Sequence, residues 1–410
     1  MSQPPKIRSV KFNAAMNIIL TTSNTLVGLI TLPYVTRVLS VGGYGAVGFA
    51  QNAAGWFSTF CILGISIYGI RECAKVRDDR ELLATTVKEL LILLTIFTAI
   101  VLAVFAGCII FIPRFQADSA LLWIFLVNTL ISSYGLEWVY QAMEQYSYIT
   151  IRSTVFKLLT LVLIFVLVRH PDDFILYGLI LSLATCGNNI FNIAHLHTLI
   201  SFDTHLPLDL RQHIKPIFSF GTVNIASSVY LMLDSVILGF LTNGNYQVGL
   251  YQLATKLKNF LGSVINAATN AAIPRLSYYL AHHETERYRN LLGNSVSVVT
   301  NIGLYIVGCL LVFSDQIIIV ISSEKYIQST SALRIISFAM LFSALNSLIG
   351  FQILTPTGQE SKLATANFIG VPISILANFS LDPFFGATGA ATTASLTELA
   401  VFIVQFHYSK

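Results

Sequence analysis

Six polar residues recur along one otherwise apolar stretch at spacings of four, three, four, three and four: Gln252, Lys256, Asn259, Ser263, Asn266 and Asn270. That spacing sets them on one face of an α-helix. A lysine at the centre of a bilayer costs about 3 kcal/mol even on the mildest scale. The face must therefore meet water or polar neighbours. Its chemistry is binding rather than bond-making, because a cation among amides attracts an anionic group such as a pyrophosphate. A shorter series runs Asn13, Asn17, Asn24. Other polar residues inside apolar runs are Asn128, Glu137, Asn188, Asn192, His195, Asn224, Asp234 and Glu398. Asp234 is expected to pair with Lys256 across adjacent spans. Lys258 points away from the stripe and reads as a snorkelling side chain.

Bond-making chemistry finds little support. Gly43-Tyr-Gly45-Ala-Val-Gly48 matches a dinucleotide-binding pattern, but it joins two membrane spans instead of opening a βαβ unit. There is no P-loop and no H-E-x-x-H. His282-His283 lies in a polar loop, and the five cysteines read as small apolar residues. We therefore expect no enzyme, no metal, no cofactor and no nucleic-acid partner.

The elements that must position these residues are membrane spans. Of 410 residues 55% are hydrophobic and 11% charged, against roughly 25% charged in soluble domains; the mean hydropathy is +0.71. Runs of about 20 apolar residues predict an all-α integral membrane protein of twelve transmembrane helices. The first six are Phe12–Val35, Tyr44–Ile70, Leu90–Ile112, Leu121–Met143, Ser153–Val168 and Phe174–Leu199. The last six are Ile217–Leu241, Leu250–Ile273, Ser295–Ile321, Leu333–Leu354, Leu363–Phe379 and Phe385–His407. The first is too long for a signal-peptide core and reads as a permanent span. With the N-terminus cytoplasmic, only Arg37, Arg114, Arg169, Lys325 and Arg334 of the 24 Lys and Arg fall on the far side, and Lys256 and Lys258 lie within a span. That asymmetry predicts cytoplasmic termini at both ends.

The two halves echo each other. Asn17-Ile18 matches Asn224-Ile225, and Tyr44-Gly45-Ala46-Val47-Gly48 matches Tyr246-Gln247-Val248-Gly249. Charged loops follow the second and eighth spans. A parallel repeat follows as the expectation, with six-helix lobes at 1–205 and 206–410 and a substrate site between them near the midplane.

Several segments resemble the O-antigen flippases, the Wzx or RfbX-like polysaccharide transporters. They are Leu32-Pro-Tyr-Val-Thr-Arg37 with Tyr44-Gly45, Glu137-Trp138-Val-Tyr140-Gln141-Ala-Met-Glu144, and Asp234-Ser-Val-Ile-Leu-Gly239. The others are Val248-Gly249-Leu-Tyr251, Ile273-Pro274-Arg275-Leu-Ser277, and Gly386-Ala-Thr-Gly389 with Glu398. Ala142 stands where that family often has glycine. The resemblance implies the MATE-like (MOP) flippase fold, a V-shaped bundle of two six-helix lobes around a hydrophilic cavity. It implies movement of a polyprenyl-pyrophosphate-linked oligosaccharide across the bacterial inner membrane, from the cytoplasmic to the periplasmic leaflet. The partners would be that lipid, the membrane and other polysaccharide-assembly membrane proteins; coupling would be to a sodium or proton gradient, or absent. Expected cavity residues are Lys256, Gln252, Asn259, Asn266, Asn270, Asn17, Asn24, Asp234, Glu137 and Arg37. A cation-coupled drug or metabolite antiporter of the same superfamily is the alternative, although its cavity would be acidic. A membrane polysaccharide polymerase or ligase is the third reading; it would carry a large extramembrane loop, which the span map lacks.

Overall fold

The computed structural model describes residues 10–200, 206–242 and 244–409, some helical side chains excepted, and among them there is no β-strand. Each of the twelve predicted spans coincides with a helix or a broken helix. The first is α1 (Val10–Val38). The second is broken, α2 (Val41–Ile62) then α3 (Ile65–Lys75). Then come α4 (Arg80–Phe111), the single turn α5 (Pro113–Gln116), α6 (Ser119–Ser133) with α7 (Glu137–Ala142), α8 (Tyr146–Leu167) and α9 (Phe174–Leu199). After the connection follow α10 (Arg211–Leu241), α11 (Tyr246–Ala281), α12 (Thr285–Ile321), α13 (Ser329–Leu348) with a π-helical turn at Ile349–Leu354, α14 (Glu360–Phe385) and α15 (Ala387–Tyr408). Among the described residues, nine stretches are long and apolar enough to cross a membrane. Phe111, Phe384, Tyr305 and Leu376 are more than two-thirds exposed, as expected where lipid replaces water as the solvent.

Local chemistry sets several helix ends. Asp79 caps α4 by accepting from the N–H groups of Glu81 (3.0 Å) and Leu82 (3.1 Å). Before α9, the N–H groups of Arg169 (2.8 Å) and His170 (2.7 Å) donate to Asp173 and hold its carboxyl below the usual range. Several helices run past the predicted spans, α4 from Arg80 and α12 from Thr285 among them, and at two of these boundaries the extension takes in a buried charge. Helix α8 starts at Tyr146, not Ser153, and carries Arg152 inside it; α14 runs to Phe385, not Phe379, and carries Asp382. A hydropathy reading ends a span at a charge, whereas the helix continues when that charge can be buried among polar side chains.

The chain forms two compact units. One holds the residues up to Ser40 with Ala50–Ser228; the other holds Val41–Phe49 with the residues from Val229 onward. Helices α2 and α10 each contribute to both. In the first unit α8 packs between α1 and α9, and α6 against α9, with Ile65, Leu90, Val139 and Ile217 in its core. In the second, α13 is packed by α11, α12 and α15, and α14 lies on α15; Ile265, Val299, Met340 and Leu348 are core residues.

The segments Tyr44–Gly48 and Tyr246–Gly249, matched as repeats in the sequence, pack on each other in the second unit. A Cβ on Gly45 would lie 2.0 Å from the carbonyl oxygen of Asn245, and one on Gly249 would lie 2.1 Å from that of Val41. These are backbone-to-backbone contacts of the small-residue kind that joins helices in lipid. The G-x-G-x-x-G spacing thus serves helix packing. Gly249→Leu should lower the unfolding midpoint in detergent by several degrees and reduce membrane accumulation, because no side chain can move aside to admit it. A wild-type melting curve for that variant would contradict the assignment.

The start of α10 is tied into the first unit by a buried relay. His213 Nε2 lies 2.8 Å from Glu89 Oε2, and its Nδ1 lies 2.8 Å from the Tyr68 hydroxyl. The Asp209 N–H also donates to Glu89, at 2.6 Å. His213→Ala takes one donor from the buried Glu89 carboxylate and the partner from the buried Tyr68 hydroxyl, and should cost about 3 kcal/mol of stability. Comparing denaturant or thermal unfolding of His213→Ala and His213→Gln checks this, the glutamine restoring part of the loss.

Candidate functional site

Helix α11 carries its polar stripe as a distinct face. Leu253, Leu257 and Ile265, on the opposite side, are buried, and the helix packs on α12, α13 and α15. Along the stripe Lys256 and Asn259 are exposed, and Ser263 and Asn266 are half-buried. Gln252 is buried and donates through Nε2 to Ser235 Oγ at 3.2 Å. The stripe is therefore closed at Gln252 against α10 and open from Lys256 onward. An open face of this polarity is unfavourable against hydrocarbon and suits a water-filled hollow. The side chain of Asn270 lies outside those described.

Asp234 does not pair with Lys256. It is buried and accepts three hydrogen bonds: from Asn378 Nδ2 (2.7 Å) and Ser374 Oγ (3.0 Å) on Oδ1, and from the Tyr251 hydroxyl (3.2 Å) on Oδ2. The lysine within electrostatic reach of Asp234 is Lys258, which also reaches buried Glu398. The snorkelling reading of Lys258 is corrected accordingly. Tyr251, Thr255 and Lys258, at spacings of four and three, form a flank of α11 that turns toward these acids while the stripe turns away.

Asp382 lies on the same row of α14 as Ser374 and Asn378, at steps of four. It is fully buried and within electrostatic reach of Asp234. Neither of its carboxylate oxygens has a hydrogen-bond partner among the described residues, nor do Asn378 Oδ1, Thr393 Oγ1 and Thr397 Oγ1. Gly389 of α15 abuts the Asp382 backbone and Gly370 of α14 abuts Thr397, so the two threonines lie along the groove that holds the α14 row. Buried oxygens of this kind are satisfied by a proton, a cation or a bridging water. Two carboxylates, an amide and hydroxyls are hard oxygen donors suited to a sodium-like ion. Among the described residues no three His, Cys, Asp or Glu gather as a metal site. Sequence reading missed Asp382 because it placed the residue beyond the end of its span; the spacing of Ser374, Asn378 and Asp382 was the available signal.

In the first unit, Glu137 begins α7 and its carboxylate accepts from Arg152 Nη2 at 3.3 Å. Arg152, missed because it was counted as loop, also donates through Nε to Asn188 Oδ1 at 2.6 Å. Asn17 is exposed on α1, and Arg37 is exposed at the C-terminal end of that helix. The side chains of Asn24 and Asn224 lie outside those described.

Fold and sites together define a multi-pass, all-helical membrane transporter. Its fold matches the lipid II flippase MurJ in an inward closed conformation, with a TM-score of 0.75 at 12% identity over 96% of this chain and 87% of that one. It also matches an inward-facing multidrug resistance MATE family transporter, with a TM-score of 0.69 at 14% identity over 94% and 97%. The chain belongs to the polysaccharide biosynthesis protein family, whose sequence pattern matches residues 10–280. The MatE pattern matches residues 221–380. An Escherichia coli K12 protein named "Putative O-antigen transporter" is 24% identical over 387 residues, covering 92% of this chain and 91% of that protein.

Proposed function

We propose that this protein flips a polyprenyl-pyrophosphate-linked oligosaccharide from the cytoplasmic to the periplasmic leaflet of a bacterial inner membrane, by alternating access of two six-helix lobes (1–205 and 206–410). The observation that carries the reading is Lys256, an exposed cation on the polar face of a membrane-depth helix. A pyrophosphate head group is dianionic and an oligosaccharide is neutral or weakly charged, so a lone lysine among amides suits both parts of the cargo. Lys256, Asn259 and Asn266 would meet the head group, with Gln252 and Asn270 at the ends of the stripe; Asn17, Asn24, Arg37 and Glu137 are the candidates from the first half. The name of the Escherichia coli relative and that of the lipid II flippase both point to lipid-linked saccharides.

The role is transport, with no catalytic residue, and both termini face the cytoplasm. Coupling would run through the acids of the second unit, where Asp234 and Asp382 would take up a proton or a sodium ion and give it up as the lobes alternate. Deleting the protein from its host tests the function. Lipid-linked oligosaccharide should accumulate on the cytoplasmic leaflet and surface polysaccharide should disappear. An unchanged lipid-linked pool and unchanged surface polymer would leave the antiporter reading in front.

A further inference from the structure

We propose that a cavity within the first unit is a monosaccharide-binding subsite, which receives one sugar of the lipid-linked glycan. The inference rests on the flippase reading above. The cavity has a volume of about 300 Å³, the small end of the range for ligand pockets. Two membrane helices break where they border it. The span α2–α3 breaks at Leu63, beside the lining residues Ile62 and Ser66, and the span α6–α7 breaks at Leu136, itself a lining residue. Both leucines hold left-handed backbone, with φ of 46° and 52°. That conformation is costly for a non-glycine residue and persists where the surroundings impose it, commonly at ligand sites. Irregular backbone at membrane depth is tolerated where it lines a cavity.

The polar groups at the cavity are held in place from behind. Arg152 is buried, and it fixes both the Glu137 carboxylate and the Asn188 carbonyl oxygen. Because that oxygen is engaged, the Asn188 amide N–H groups remain as donors toward the cavity. Glu137, about two-fifths exposed, offers an acceptor. Asn189 Nδ2 donates to Ser132 Oγ at 3.3 Å, which orients a second amide on the wall. Leu136 and Trp138 supply an apolar side.

The charges select the ligand. An anion would meet Glu137, and a bare cation would meet Arg152 directly behind it. The pair neutralises itself and leaves amides, hydroxyls and a carboxylate acceptor beside an apolar wall. Such a surface matches a neutral polyol with an apolar face, as a pyranose ring has.

The test uses the full-length protein in nanodiscs. Binding of farnesyl pyrophosphate is compared with binding of farnesyl pyrophosphate carrying glucose, galactose or N-acetylglucosamine. Wild type should prefer at least one sugar-bearing probe by about tenfold or more, the contribution of one or two hydrogen bonds. Asn188→Ala should reduce the preference to about threefold or less, with farnesyl pyrophosphate binding unchanged. Thr185→Trp, which fills the cavity from its exposed rim and leaves Arg152 and Asn188 unsubstituted, should do the same and guards against a folding defect in Asn188→Ala. If wild type binds farnesyl pyrophosphate but prefers no sugar, or if the preference survives Thr185→Trp, the subsite is overturned and the flippase reading stands. If wild type binds none of the probes, the flippase reading fails and the subsite fails with it.

Discussion

Lys256→Ala should reduce flipping about 10- to 100-fold while the protein still reaches the membrane at its normal level. The expectation follows from location. A cation and a phosphate 4 Å apart attract by about 4 kcal/mol at the effective dielectric of a partly buried site, against about 1 kcal/mol in water. Desolvation offsets part of that, and the 10- to 100-fold estimate corresponds to about 1.4 to 2.8 kcal/mol retained. Folding should be little affected, because the Lys256 side chain is exposed and makes no ion pair among the described residues. Lys256→Arg should keep most of the activity, since charge and reach survive. Asn259→Ala should lose only a few-fold, the effect of one neutral hydrogen bond. Complementation of a deletion strain, scored by surface polysaccharide and by the cytoplasmic-leaflet pool, measures all three. Full activity in Lys256→Ala would sink the role given to the stripe.

If the acids of the second unit carry the ion coupling proposed above, Asp382→Asn should abolish the response to that ion. Wild type carries two buried carboxylates within reach of each other, one of them with no hydrogen-bond donor among the described residues. An ion bound there stabilises the folded state by RT ln(1 + [L]/Kd), about 1.4 kcal/mol at ten times Kd. Thermal unfolding in sodium versus choline chloride should therefore separate for wild type and coincide for Asp382→Asn. If a proton is the ligand, sodium has no effect, and the midpoint depends less steeply on pH in the variant than in wild type. Gradient-driven transport should fall at least tenfold in either case, an estimate that assigns the coupling step about 1.4 kcal/mol or more. Identical sodium and pH responses in the two proteins would remove these acids from the coupling scheme.

How much of this was legible beforehand depended on the range of the signal. The hydrocarbon core demands about 20 apolar residues per crossing and internal hydrogen bonding along each, so the twelve spans could be read directly from composition. The stripe from Gln252 to Asn270 was equally legible, because a 3.6-residue period is a property of one helix. Neighbours were not. Asp234 meets Ser374 and Asn378, some 140 residues away, and nothing in either segment alone names the other. Lys256 was the reasonable partner by adjacency, yet its face turns away and Lys258 turns in. Arg152 and Asp382 were misplaced for a related reason: hydropathy treats a charge as the end of a span, whereas packing supplied the polar partners that let the helix continue around it. The contact of Gly45 with Asn245 likewise required the second unit to be assembled. The sequence by itself determined that the chain is built of membrane-spanning helices and which face of the eighth span is polar, since the bilayer imposes those rules on every segment separately. Only the tertiary structure decided which polar faces meet, because that depends on which helices are neighbours and in what register they pack.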